Sequence, residues 1–218
     1  MKYTLSIFAA AVLLAIPSTN AAIVFGNLGS DGSGSVAAID GSAVSATDWV
    51  AQGFTTGGAS TLLDVDSITL GLRNNSGNTI SASVSIWSDS GGSPFASLYT
   101  SSAVNIPNAN GAKYTFSFGA APLNVGTSYW VVMSTPNLTW SYQSGNLAPT
   151  GLNSSGYVYT ATKSTADSGL NWGNSFFSSQ AISMVATEAQ PIPEPGTWAA
   201  AVLLAGGAAY ARWRKRKA

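Results

Sequence analysis

The chain of 218 residues contains no cysteine and no histidine, and only 8% of it is charged. Without cysteine there are no disulfides, no thiol nucleophile and no zinc–thiolate site, so any folded part is held by its core alone. Without histidine a Ser-His-Asp triad is excluded. Between its two ends the chain has too little charge to offer the clustered Lys and Arg that nucleic-acid binding needs. The formal net charge of zero hides an asymmetry. Residues 23–190 hold three basic side chains (Arg73, Lys113, Lys163) against eight acidic ones (Asp31, Asp40, Asp48, Asp64, Asp66, Asp89, Asp167, Glu188), a balance of −5. Five of the nine cations sit in the last seven residues.

Both ends read as segments apart from the globular part. Lys2 precedes an apolar run from Leu5 to Ile16, which Pro17 breaks; small residues follow, with Thr19-Asn20-Ala21 and Asn20-Ala21-Ala22 as candidate cleavage sequences. A basic start, a short apolar segment and a small-residue exit describe a secretory signal peptide over residues 1–22. The run is shorter than the roughly 20 residues that a membrane span requires. At the other end, Thr197 to Ala211 carries no charge and leads into Arg212, Arg214, Lys215, Arg216 and Lys217. Cations beside an apolar segment stay on the cytoplasmic side, so residues before Pro193 are expected outside. Fifteen helical residues extend about 22 Å against a hydrocarbon core of about 30 Å, a marginal span suited to a temporary hold. Trp198 and Trp213 flank it, where interfacial aromatics are favoured.

Between the ends, the pattern predicts an all-β fold, a β-sandwich or jelly roll over residues 23–187. Ile80, Ala82, Val84 and Ile86 alternate with serines, the period of a half-buried strand. Ile68, Leu70 and Leu72 alternate likewise, as do Tyr114, Phe116 and Phe118, then Leu138, Trp140 and Tyr142, then Tyr157 and Tyr159. Tyr129 to Met133 is a continuous apolar run suited to a central strand covered on both faces, and Ala181 to Ala186 reads as a closing strand. Asn74 to Asn78 reads as a hairpin connection; Ser88 to Pro94 and Asn108 to Gly111 read as turns. No segment between the ends shows a helical period. Gly29 to Gly34 reads as a loop, and Glu188 to Ile192 as a linker.

The extreme C-terminus resembles the PEP-CTERM sorting domain: Pro193-Glu194-Pro195, then an apolar stretch, then the basic cluster, covering Pro193 to Lys217. The resemblance implies a Gram-negative bacterium that makes exopolysaccharide. It also implies processing near the motif by an exosortase, a membrane-embedded cysteine transpeptidase-like enzyme, with this chain as its substrate. The middle is similar to choice-of-anchor R domains in Gln52 to Thr56, Leu63 to Leu70, Ile86 to Pro94 and Leu123 to Trp130. That likeness runs from Gln52 to Val132 and extends toward Val185. Phe95 stands where family members commonly have glycine. No catalytic residue is carried over from either resemblance.

Three groups of residues carry candidate chemistry. Asp64 and Asp66, two apart in a strand-like segment, share a face about 6.5–7 Å apart; a glycosidase draws its two carboxylates from different elements across a cleft, which favours a solvent-facing role. Asp89 in Ser-Asp-Ser-Gly-Gly-Ser is a candidate calcium ligand, although an Asx-type turn explains the same residues. Asp31 and Asp167 read alike. No other cofactor is implied. Trp49, Trp87, Trp130, Trp140 and Trp172 are either core or sugar-stacking residues. Trp87 is the surface candidate, since parity with Ile80 to Ile86 turns it outward; Trp140 and Tyr142 share a face with Leu138 and read as core. Together these features point to an exported, non-catalytic surface or matrix protein. Its partners would be an exosortase-type enzyme, the membrane through the C-terminal helix, and exopolysaccharide, but not nucleic acid. The alternatives are a carbohydrate-binding module in the exopolysaccharide layer and a glycan-active enzyme.

Overall fold

A computed structural model describes residues 21–28, 36–57, 62–143, 148–151, 156–174 and 180–188. The expected signal segment before Ala21, the Gly29 to Gly34 loop with Asp31, the motif Pro193-Glu194-Pro195 and the cluster Arg212, Arg214, Lys215, Arg216 and Lys217 lie outside the described residues. Among the described residues the fold is all-β and antiparallel, with no helix. No helix among them is long and apolar enough to cross a membrane.

Among the described residues there are sixteen strands: β1 (Ala22–Gly26), β2 (Val36–Val44), β3 (Trp49–Thr55), β4 (Leu62–Asn74), β5 (Ile80–Ala82), β6 (Val84–Asp89), β7 (Pro94–Thr100), β8 (Val104–Ile106), β9 (Ala109–Ser117), β10 (Pro122–Asn124), β11 (Ser128–Met133), β12 (Leu138–Gln143), β13 (Thr150–Gly151), β14 (Val158–Thr165), β15 (Gly173–Asn174) and β16 (Ile182–Glu188). The first sheet runs β13-β1-β16-β4-β12-β2, with β9 and β10 also paired to β4. The long strand β4 is its hub: β16 and then β12 line one edge, β10 and then β9 the other. The second sheet runs β15-β14-β3-β11-β6-β7, and β5 pairs with β8 in a separate two-stranded sheet.

Side-chain alternation places one core between the two large sheets, in a sandwich-like arrangement. From the first come Phe25, Leu63, Val65, Ile68, Leu70, Leu72, Trp140, Ile182 and Met184; from the second, Val50, Phe54, Val84, Ile86, Tyr129, Val131 and Met133. Removing a large apolar side chain of this kind from water contributes about 1.5–3 kcal/mol. At Asp66–Ser67 both residues turn outward, and the β4–β16 ladder shifts register between Val185 and Ala186. This bulge keeps Val65 and Ile68 facing the same core.

The structure corrects four local expectations. Ile80 to Trp87 is not one strand: Ser83 separates β5 from β6, and the two pair in different sheets. The alternation still holds, because Ala82, Val84 and Ile86 are all buried. Period two reports which face meets the core, not which strand is the neighbour. Asn74 to Asn78 is not a hairpin, since β4 and β5 do not pair; it carries the chain out of the first sheet. Ala109 to Gly111 opens β9 instead of forming a turn, while the Asn108 Oδ1 accepts the Gly77 N–H at 3.2 Å. Glu188, expected in a linker, pairs with Leu63 as the last residue of β16.

Candidate functional site

The outer face of the second sheet carries the most unusual surface of the fold. In β3 the sequence Trp-Val-Ala-Gln-Gly-Phe-Thr sends Val50 and Phe54 into the main core and leaves Trp49, Ala51 and Gly53 outside. In β11, Tyr129, Val131 and Met133 point in while Trp130 and Val132 point out. The apolar run of β11 is therefore covered on both faces, as expected, but its outer cover is a group of tryptophans. Ala51, Trp130 and Val132 are buried there, with Trp49, Trp87, Ala161 and Trp172 packed against them.

Trp130 is the floor. Its ladder partners are Gly53 on one side and Trp87 on the other. A Cβ at position 53 would come within 2.9 Å of Trp130 Cζ3, so the absent side chain lets the indole lie across the strand. At the other edge Trp130 Nε1 donates to Asp89 Oδ1 at 2.7 Å. Asp89 Oδ2 accepts the Gly92 N–H at 3.2 Å. Gly91 and Gly92 hold φ of 61° and 77°, and Ser90 and Ser93 exchange backbone hydrogen bonds, which makes the β6–β7 connection a two-residue hairpin of type I′. The Ser-Asp-Ser-Gly-Gly-Ser cluster is thus a turn, and its carboxylate fixes Trp130.

Trp87 lies half-buried on the outer face, at the position that its parity dictates. Its ring meets Trp49 edge-on at 6.2 Å and 77°, and Trp172 at 6.2 Å and 75°. Each such pair contributes about 0.5–1.5 kcal/mol beyond area burial. The indole N–H groups of Trp87 and Trp172 are shielded from solvent and meet no acceptor among the described residues. An unmatched buried donor costs about 1–3 kcal/mol.

The loop after β14 closes one side. Gly169, at φ 89°, rests on Trp49: a Cβ there would come 2.8 Å from Cζ3. Ser168 donates its N–H to Thr47 O at 2.9 Å. Asp167 organises the turn by accepting the Thr165 hydroxyl, the Asn171 N–H at 2.9 Å, the Asn171 Nδ2 at 2.6 Å and the Leu170 N–H at 3.1 Å. The Thr165 hydroxyl foremost, then Asn171, lowers this carboxyl from the ordinary 3.8 to about 2. A depressed folded-state pKa stabilises above the unfolded value and ceases to do so as pH falls through the folded one. The loop's contribution is therefore intact above pH 3.8 and lost toward pH 2. Urea unfolding at stepped pH should show the gap between wild type and Asp167→Asn narrowing over that window. A constant gap would mean that the carboxylate does not clamp the loop.

Asp64 and Asp66 are also engaged in local structure. Asp64 Oδ1 accepts the Ala121 N–H at 2.7 Å, and Asp66 Oδ2 accepts the Thr187 hydroxyl at 2.7 Å. Both belong to the first sheet, on the opposite side of the sandwich from the tryptophans. Among the described residues no three His, Cys, Asp or Glu side chains gather as a metal site. Trp140 is fully buried beside Leu138, whereas Tyr142 is half-buried, its hydroxyl 3.3 Å from Ser42 Oγ. Parity alone oriented Trp87, but nothing in the sequence joined it to Trp49 and Trp172. Those three residues become neighbours through the β3-β11-β6 order and the fold-back of the 166–172 loop. Compared with known proteins, the chain matches no family model, no curated protein and no solved structure.

Proposed function

We propose that this chain is a non-catalytic, exported cell-surface or matrix protein, delivered through its C-terminal tag by an exosortase-type enzyme. The observation that carries the reading is the order Pro193-Glu194-Pro195, apolar stretch, then Arg212, Arg214, Lys215, Arg216 and Lys217, in a chain that opens like a signal peptide. In this reading a jelly-roll-like sandwich lies between a signal helix and a transmembrane helix, and the C-terminus stays cytoplasmic until processing. The strand pairing is compatible with that arrangement. Ile23 pairs with Val185, so β1, which starts at the end of the signal segment, and β16, which precedes the tag, meet at one end of the sandwich. A hold at that end leaves the tryptophan face free. Intact-mass spectrometry of the protein from its native cells should show a C-terminus lost near Pro195. A mature chain that keeps Arg212 to Lys217 overturns the processing step.

A second reading, a carbohydrate-binding module acting in the exopolysaccharide layer, is favoured by the half-buried Trp87 and its two tryptophan neighbours. Retention on immobilised polysaccharides that is lost in Trp87→Ala supports it; equal retention of the two proteins removes Trp87 from the site. The glycan-active enzyme keeps only Asp64 and Asp66 as named carboxylates, and both accept hydrogen bonds within the fold.

A further inference from the structure

We propose that Asn110 is a site of spontaneous modification: its side-chain amide closes onto the backbone nitrogen of Gly111, and the ring opens to aspartyl and isoaspartyl residues at a bulge of β9. The reaction needs water and no enzyme, so it does not depend on where the chain is delivered.

Three features make the position reactive. First, Asn110-Gly111 is the one Asn-Gly pair of the chain. Glycine has no Cβ to crowd its own nitrogen, and its backbone turns at little steric cost. Exposed Asn78 and Asn105 are each followed by a β-branched residue, Thr79 and Ile106, which crowds the same approach. Second, the pair forms a β-bulge. Leu72 pairs with Ala112 and Asn74 with Ala109, so Asn110 and Gly111 together stand opposite Arg73. A bulge leaves its extra residue outside the ladder, and the backbone there rotates at less cost than in a paired stretch. Among the described residues β9 pairs with no strand but β4, so its other edge adds no restraint. Third, the Asn110 side chain is exposed and its amide meets no partner among the described residues. Asn74, by contrast, spends its amide on Asn78, Ile106 and Ser76, and Asn108 Oδ1 accepts the Gly77 N–H. In the reaction the Gly111 nitrogen gives up its proton and bonds to Asn110 Cγ. The Cγ–Nδ2 bond breaks and Nδ2 leaves as ammonia. Water then adds to one of the two ring carbonyls: opening at Cγ gives aspartyl, and opening at the backbone carbonyl routes the main chain through the side-chain carbon, as isoaspartyl. Either product adds one negative charge opposite Arg73. The bulge already holds a residue outside the ladder, so the additional backbone carbon of isoaspartyl is absorbed there and the flanking pairs persist.

The test ages the full-length chain in detergent at 37 °C and pH 8, in water enriched in oxygen-18. Peptide mass spectrometry with electron-transfer fragmentation separates aspartyl from isoaspartyl products. Asn110 should convert over days, at least about tenfold faster than Asn78 and Asn105, with solvent oxygen incorporated and a more acidic band on native isoelectric focusing. Gly111→Ala should slow conversion at Asn110 by about tenfold. Asn110→Gln, whose longer amide closes a six-membered ring more slowly, should leave the position unconverted. Near-ultraviolet circular dichroism identifies variants that keep the fold, and the aged wild type should retain its spectrum. Ageing in guanidinium chloride gives the rate that the sequence alone sets. A folded-state rate within about tenfold of it assigns the reactivity to the bulge. Stronger protection overturns the site, because β9 then holds Asn110 in an unreactive conformation. Conversion at the same rate in Gly111→Ala overturns the ring closure, and faster conversion at Asn78 or Asn105 overturns Asn110 as the site.

Discussion

Trp140→Ala is expected to lower the unfolding free energy by about 3–5 kcal/mol, the cost of emptying a large core site that closes only in part. Trp140 is fully buried in β12, paired with Ser42 on β2 and Leu72 on β4. Its Nε1 donates to Ala181 O at 2.9 Å, and the Ala181 N–H donates to Ser141 O at 2.8 Å. The indole thus packs the core and fastens the start of β16 to β12, next to a strand that closes on β1. Alanine would leave a cavity and an unmatched carbonyl. Trp140→Phe should retain much of the packing and lose mainly the hydrogen bond, at about 1–2 kcal/mol. A domain of this size has about 5–15 kcal/mol in all, so the alanine variant should unfold at markedly lower urea. Equal midpoints for wild type and Trp140→Ala would show that the indole does not fill the core.

The same strand shows what the sequence discloses and what it leaves out. Leu138 and Trp140 announce a buried face through their spacing, and so do Ile68 to Leu72, Val84 to Ile86 and Ile182 to Met184. Alternation arises wherever one face meets the core and the other meets water. It fails in β3, where Gln52 is buried among apolar neighbours and Ala51 and Gly53 lie under the aromatic cover. The Gln52 amide is accommodated by Ala161 O at 3.1 Å, a partner 109 residues away, and no local pattern encodes such a match. The edge strand β7 is equally silent, because two register shifts against β6 break its parity. Neighbour order is harder still. Trp49 and Trp87 meet because β11, which comes later in the chain, lies between β3 and β6. Turn chemistry, by contrast, is local: Ser-Gly-Gly-Ser gives its hairpin through two glycines at positive φ. That local signal disclosed the Asp89 turn but not its bond to Trp130, 41 residues on.

Asn74→Asp should be the more instructive of the large losses. Asn74 is buried at the end of β4, where the chain leaves the first sheet for β5. Its Nδ2 donates to Asn78 O at 2.7 Å and to Ile106 O at 2.8 Å, while Oδ1 accepts the Ser76 N–H at 2.9 Å. One amide therefore shapes the crossover and ties it to β8. Asn74→Ala orphans the buried Ile106 carbonyl and the Ser76 N–H, at about 1–3 kcal/mol for each group left unmatched. Asn74→Asp keeps the acceptor but turns a second oxygen, and at neutral pH a charge, toward two carbonyls. An uncompensated buried charge costs about 3–5 kcal/mol. Burial and the facing carbonyls raise the folded-state pKa of such a carboxyl above its unfolded value of about 3.9. The folded variant then binds more protons than the unfolded one, so its deficit relative to wild type shrinks as pH falls. Protonation restores one donor, which can serve only one of the two carbonyls, so recovery is partial. Urea titrations at pH 7 and pH 4 should therefore find Asn74→Asp below Asn74→Ala at the higher pH and close to it, or above it, at the lower. Equal deficits for the two variants at both pH values would mean that the aspartate bears no buried charge, and an Asn74→Ala variant as stable as wild type would mean that no donor is required between Asn78 and Ile106.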